Sequence, residues 1–250
     1  MSGHSKWATI KRKKGAADAK RGKIFTQVIR EISIAAGIGG GDPNSNPRLR
    51  LAMLKARSVN MPRDNVERAI KKGTGELGGE NWEEVRYEGY GPGGAAVIVD
   101  ATSDNRHRTG AEVRNIFSRF GGNMGATGCV AFMFERLGVL EFDRAGVDGD
   151  KLMEAAIEAN AKDIVEDTET LTVQTAPEDF TAVKEALEAK SFGAASAKLA
   201  MVPSSTVKLS GKNAEQMLKL YEALDDLEDV SEVFSNFEMS DEDMLAASQS

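Results

Sequence analysis

The 250-residue sequence holds a single cysteine, Cys129, and two histidines, His4 and His107. One cysteine excludes an intrachain disulfide and gives no sign of an oxidising compartment. The three residues together are too few for a Cys/His zinc site of the usual spacing. Long apolar runs are missing as well; none approaches the roughly 20 residues of a membrane span. The basic start has no apolar segment behind it, which argues against a secretory signal, and its Lys-rich "KRKK" is a poor match to an Arg- and Ser-rich mitochondrial presequence. A cytoplasmic protein is the expectation. No phosphate-loop consensus occurs, because "RGKIF" and "SGKN" lack the preceding glycine and the Ser/Thr. Carboxylates in "NWEEV" and "LDDLEDV" read as solvated acidic faces, and Cys129, flanked by apolar residues, reads as a small core residue. With no catalytic constellation, no enzyme, no cofactor and no metal are expected.

What is present is charge, unevenly spread. The chain has 32 Lys/Arg and 39 Asp/Glu, a net charge of -7. From Met1 to Gly75 there are 17 basic and 5 acidic residues, a balance of +12, and the remainder holds 15 and 34, a balance of -19. Eight of the basic residues fall within the first 23 positions: Lys6, Lys11, Arg12, Lys13, Lys14, Lys20, Arg21 and Lys23. A basic module on an acidic body points to a polyanion partner for one end only. Lys and Arg neutralise phosphates and release counterions, giving affinity without sequence dependence. Trp7, inside the basic opening, suits either stacking on an exposed base or anchoring a core.

The first 75 residues read as three helices. From Lys20 to Ala36, residues Ile24, Phe25, Val28, Ile29, Ile32 and Ala36 recur at helical spacing, with Lys20, Lys23 and Arg30 on the opposite arc. Arg21 leans toward the apolar side and Ile34 toward the polar side. Asn46 before Pro47 reads as the cap of a second helix running to about Val59. A third begins near Pro62, with Val66, Ala69 and Ile70 on one face and Gly73 as its left-handed stop. Beyond Gly75 come strands "VRYEGY" and "AAVIVDAT" joined by "GPGG", a helix in "NRHRTGAEVRNIFSRF" and a buried strand in "CVAFMF". Then follow strand "GVLEF", a helix over Gly149–Asn160, strands "DIVED" and "TLTVQT", a helix over Glu178–Ala189 and strand "AKLAMV". That βαββαβ order is the ferredoxin-like arrangement. A helix near Asn213–Leu227 and a strand near Val230–Phe237 complete the earlier unit, and the tail "SDEDMLAASQS" reads as disordered.

The fold class is therefore α+β in three domains: residues 1–78 helical and nucleic-acid-binding, 79–136 plus 204–240 α/β, 137–203 ferredoxin-like and inserted, with 241–250 as a tail. Two stretches, "GTGELG" (Gly73–Gly78) and "GYGPGG" (Gly89–Gly94), match the dinucleotide fingerprint literally. Neither runs from a strand into a helix, so a linker and a hairpin turn are the better readings. "TSDNRHRTG" is a second basic constellation. Asp104 or Asn105 can cap the following helix and set Arg106, His107 and Arg108 at its positive end, suited to one phosphate or simply exposed.

Five motifs in order, "GHSKWATIKRKKGAADAKRGKIF", "NMPRDNVERAIKKGTG", "YEGYGPGG", "DNRHRT" and "GGNMGATGCVAFMF", closely resemble the YebC-type family, from residue 2 to about Phe237. Arg12 stands where that family often has His, and Cys129 where it often has Ser. The resemblance implies three domains, the third inserted into the second. It implies either DNA-binding transcriptional control or a ribosome-bound role in which the protein meets ribosomal RNA and helps difficult peptide bonds, such as proline runs. No helix-turn-helix with base-reaching side chains is recognisable, which weakens sequence-specific DNA recognition. An enzyme acting on a phosphorylated substrate is the competing class, and the missing catalytic set argues against it. The oligomeric state is left open.

Overall fold

The computed structural model describes residues 17–78 and 82–247. It is an α+β protein with a helical amino-terminal region and two β-sheet regions. In the helical region, α1 (Ala17–Gly39) packs against α2 (Pro47–Ser58) and α3 (Arg63–Gly73). The Asn46 side chain accepts the Leu49 N–H at 3.1 Å and donates to the Ala35 and Gly40 carbonyls, so one buried amide caps α2 and ties it to the end of α1. Val28, Ile32 and Ala35 meet Leu49, Ala52, Ala56, Met61 and Ala69 in this core.

Gly73 has a different role from the expected one. It remains helical, and the left-handed residue is Gly75, at φ +84°. A Cβ at Gly73 would overlap the Ser33 carbonyl oxygen and lie 2.9 Å from the Ala36 Cβ, so this glycine lets α3 approach α1. The α1 pattern departs from its single apolar stripe as well. Ile34 and Arg30, both on the expected polar side, are buried, whereas Ile24 is 37% exposed. For Arg30 the reason is that α1 is covered on two sides, by its own module and by the body, where Glu228 and Asp229 meet it.

The first sheet has strand order β3-β1-β2-β9, from β1 (Glu83–Tyr90), β2 (Ala96–Ser103), β3 (Asn123–Met124) and β9 (Val230–Ser235), all antiparallel. Helices α4 (Arg106–Arg119) and α7 (Gly211–Asp226) cover one face, burying Val97, Val99, Val113, Phe117, Met217 and Leu224. The second sheet runs β5-β6-β4-β7, from β4 (Phe134–Asp143), β5 (Asp163–Glu166), β6 (Thr170–Thr175) and β7 (Ser196–Pro203). Helices α5 (Gly149–Glu158) and α6 (Phe180–Ala189) pack on it through Leu152, Val183 and Leu187. Its strands lie in sequence between β3 and β9 of the first sheet. A short parallel pair, β8 (Val207–Lys208) with β10 (Phe237–Glu238), closes the body.

Two further expectations need correction. "CVAFMF" is not a buried strand: a turn and a 3-10 turn (Ala131–Met133) precede β4, and Phe132 points outward. Val130 and Phe134 alone supply the buried apolar signal, at a spacing that a turn also satisfies. Residues 241–247 of the tail form α8 (Asp241–Ala247), held by buried Met244 and by Asp243, whose N–H donates to the Ser240 hydroxyl oxygen and whose carboxylate accepts the Gly211 N–H.

Candidate nucleic-acid interface

Of the candidate contacts, Lys6, Trp7, Lys11, Arg12, Lys13 and Lys14 lie outside the described residues. Lys20 and Arg21 lie within α1. The remaining α1 cations are directed elsewhere. Arg30 is a correction to the expected contact list: its side chain is only 8% exposed, and it is ion-paired to Glu228 at 3.2 Å and to Asp229 at 3.1 Å. It also donates to the Glu228 carbonyl at 2.8 Å and stacks 4.5 Å from the centroid of the Trp82 ring. Lys23 donates to the Asp225 carbonyl, and Gln27 to the Val230 carbonyl at 2.9 Å. The physical cause is the end of α7: its unsatisfied carbonyls carry the negative end of the helix dipole, and "LDDLEDV" adds carboxylates there. That attracts the α1 cations as a phosphate would. Arg48 adds a second link between module and body, pairing with Glu31 at 2.8 Å and Glu84 at 2.6 Å. The hydrogen bonds it donates to both carboxylates raise its pKa.

Asp229 is the residue that sequence reasoning missed, having been grouped with solvated acids. It is buried, and it accepts hydrogen bonds from Thr109 at 2.6 Å and Arg108 at 2.7 Å besides pairing with Arg30. Burial pushes its carboxyl pKa up, but the Thr109 and Arg108 hydrogen bonds and the two arginine charges outweigh this and hold it below its usual value. An acid placed just past a helix C-terminus, with "DNRHRT" elsewhere in the chain, was the available signal.

The second constellation is partly occupied by the protein itself. Asn105, rather than Asp104, caps α4, accepting the N–H groups of His107 at 3.2 Å and Arg108 at 3.1 Å. Arg108 also pairs with Asp104 at 2.7 Å, and its hydrogen bonds to Asp229 and Asp104 raise its pKa. Arg106 and His107 are exposed, and the Arg106 carbonyl is fixed by the Tyr87 hydroxyl at 2.8 Å. Arg106 and His107 are thus presented to solvent while Arg108 is engaged inward.

Exposed cations on α2 and α3 were not anticipated. Residues 43–63 contain five Lys/Arg and no acidic residue. On α2 and α3, Lys55, Arg57, Arg68 and Lys71 are exposed. The uninterrupted basic stretch between Asp42 and Asp64 was the signal that the amino-terminal cluster overshadowed. Among the described residues no group of three or more His, Cys, Asp or Glu is placed to hold a metal, and no helix is long and apolar enough to cross a membrane.

Comparison with known proteins agrees with this arrangement. Residues 5–76 match the TACO1/YebC protein N-terminal domain, and residues 82–237 match the TACO1/YebC second and third domain. The chain is 57% identical over 244 residues to a "probable transcriptional regulatory protein" of Trichlorobacter lovleyi, covering 98% of each chain. It is 58% identical over 239 residues to one of Treponema denticola, covering 96% of this chain and 97% of that one. A crystal structure of a conserved hypothetical protein from Aquifex aeolicus superposes with a TM-score of 0.82 at 48% identity, over 90% of this chain and 93% of that one. With both family matches in register with the helical region and the two sheets, the chain belongs to the TACO1/YebC family, a family of regulatory proteins.

Proposed function

We propose that the protein is a nucleic-acid-binding regulator of gene expression that grips phosphates through its amino-terminal module. The relatives' name, probable transcriptional regulatory protein, makes DNA the first partner to test. The observation that carries this reading is charge segregation: 17 basic against 5 acidic residues up to Gly75, on a body of opposite sign. Since Arg30 and Lys23 serve docking, the contact surface in this reading is Lys6 and Lys11–Lys14 with Lys20 and Arg21, extended by Lys55, Arg57, Arg68 and Lys71. Arg106 and His107 make a second, smaller contact. Such a protein works in the cytoplasm, where its polyanion partner is.

A second reading, binding of ribosomal RNA in support of difficult peptide bonds, is favoured by one feature. Helices α2 and α3 pack on α1, with an open groove between them lined by Met53, Met61, Val66 and Ile70. They do not form the tight two-helix unit that offers a recognition helix to the major groove. A phosphate grip without base reading suits folded RNA as well as duplex DNA. Crosslinking in cells, followed by sequencing of what the amino-terminal module holds, separates the two. Discrete chromosomal sites support transcription, ribosomal RNA supports translation, and recovery of neither overturns the proposal.

A further inference from the structure

The stretch from α4 to the start of β4 stands apart from the rest of the body. Arg106 to Arg136 holds five arginines and two glutamates, whereas the rest of the chain beyond Gly75 holds 10 basic and 32 acidic residues. Inside that stretch, residues 120–134 carry no charge at all. The segment leaves α4 on one face of the first sheet and passes through edge strand β3. It reaches the opposite face, where Val130 and Phe134 pack with Ile98 and Phe234.

This uncharged loop is held by a buried acid. Glu88, 2% exposed, accepts the N–H groups of Gly128 at 2.7 Å, Val130 at 2.9 Å and Ala131 at 2.8 Å. Its own carbonyl accepts the Gly125 N–H at 2.8 Å, and the Tyr90 hydroxyl donates to the Cys129 carbonyl at 3.1 Å. Gly128 stands at φ +86°, open to glycine and strained for other residues. A carboxylate leaves water only at a large cost, and here charge-assisted bonds to the loop offset it. What the pinned turn presents is Phe132, 78% exposed and the most exposed of the large hydrophobic side chains among the described residues. Both neighbours are anchored, the Ala131 N–H on Glu88 and the Met133 N–H on the Val130 carbonyl at 2.9 Å.

We infer that Phe132 is a stacking platform for an unpaired base, and that the loop between β3 and β4 is a further nucleic-acid contact beyond the basic module and the Arg106–His107 site. The inference rests on the nucleic-acid reading above. Three observations select this occupant. An aromatic face binds any base by stacking, which needs no charged partner. The uncharged loop lies within a stretch of the body whose balance is basic, five arginines against two glutamates, so a polyanion is not repelled there. Exposed Arg119 and Arg136 stand at either end of it in sequence, suited to backbone phosphates. A paired duplex offers no open base face, so the partner is single-stranded.

The test uses the full-length protein and fluorescence anisotropy, with a 12-nucleotide unpaired RNA, an unpaired DNA of the same sequence, and the duplex of each. Phe132→Ala is expected to weaken binding of the unpaired strand roughly tenfold and leave duplex binding unchanged. The slope of log affinity against log salt stays the same, because a ring releases no counterions. Phe132→Trp retains affinity, whereas Phe132→Leu, which keeps apolar area without a π face, does not. At so exposed a position none of these variants threatens the fold. If wild-type protein binds the strands and Phe132→Ala binds them equally well, the inference falls while the nucleic-acid reading stands. An equal loss on duplex and single strand, or full retention by Phe132→Leu, also overturns stacking. If wild-type protein binds none of the four, the underlying reading itself fails.

Discussion

Replacing Asp229 with Ala tests the junction between the helical module and the body. The carboxylate is 6% exposed and pairs with Arg30, whose side chain is 8% exposed. Removing one partner of a buried pair costs about 3–5 kcal/mol, because the other charge is left uncompensated. Here the lower end applies: Arg30 keeps the Glu228 carbonyl at 2.8 Å and the Glu228 carboxylate at 3.2 Å. Arg108, at 45% exposed, is screened by water and adds little. We therefore expect a loss of about 3 kcal/mol. Trp82, against which Arg30 stacks, is a built-in reporter, so urea unfolding is followed by its fluorescence in a Trp7→Phe background. At a urea dependence of about 1–3 kcal/mol per molar, the midpoint falls by roughly 1–3 M. The sign with pH follows from the depressed carboxyl pKa of Asp229. Its stabilisation is fully present above the unfolded value and is lost as pH falls through the lower folded value, so the wild-type junction weakens only in acid. Asp229→Asn lacks that acid-dependent component. An unmoved Trp82 transition in Asp229→Ala would refute the assignment of Asp229 as the hub of this contact.

Three other outcomes are expected. Changing Lys11, Arg12, Lys13 and Lys14 together to Ala weakens nucleic-acid binding and lowers the salt slope by up to roughly 3–4 units on duplex DNA, with thermal unfolding unchanged; a variant that binds like the parent removes the basic arm from the contact surface. Gly73→Ala forces α3 away from the Ser33 carbonyl and costs about 1–3 kcal/mol in thermal or urea unfolding; no loss would show that the close approach of the two helices is dispensable. For Glu88, burial raises the carboxyl pKa, but the Val130, Gly128 and Ala131 N–H groups outweigh that and lower it. Glu88→Gln then costs about 1–3 kcal/mol at neutral pH, a gap that closes below the ordinary carboxylate range as wild type protonates; calorimetry across pH reads both.

Much of the architecture was legible because it rests on local rules. Asn46-Pro47 announced a helix start, "GPGG" a hairpin, and the alternation of β4 through β7 a sheet with two helices. What was not legible depended on partners far away in sequence. Arg30 looks solvent-facing beside one apolar stripe, and only the docking of Glu228 and Asp229 on α1 buries it. Asp229 is an ordinary acid until folding sets Arg30, Arg108 and Thr109 around it. Glu88 carries no sequence mark of burial, since the groups it satisfies are backbone amides, which every residue has. Phe132 was assigned to a core because outward and inward positions of a 3-10 turn cannot be told apart in six apolar residues.

The docking of α1 also imposes an order on biosynthesis. Arg30 waits for Glu228, 198 residues further along the chain. At about 5–20 residues per second, that interval lasts roughly 10–40 s. Throughout it the helical module can form, yet Arg30 has neither Glu228 nor Asp229 to meet. The nascent chain thus passes through a stage more cationic on its exposed surface than the finished protein. The strand β9 and the acidic turn before it arrive late, ahead of only β10 and α8, and conceal that charge. Chains interrupted before residue 228 keep Arg30 uncovered, so a truncated product is a stickier polyanion binder than the complete molecule.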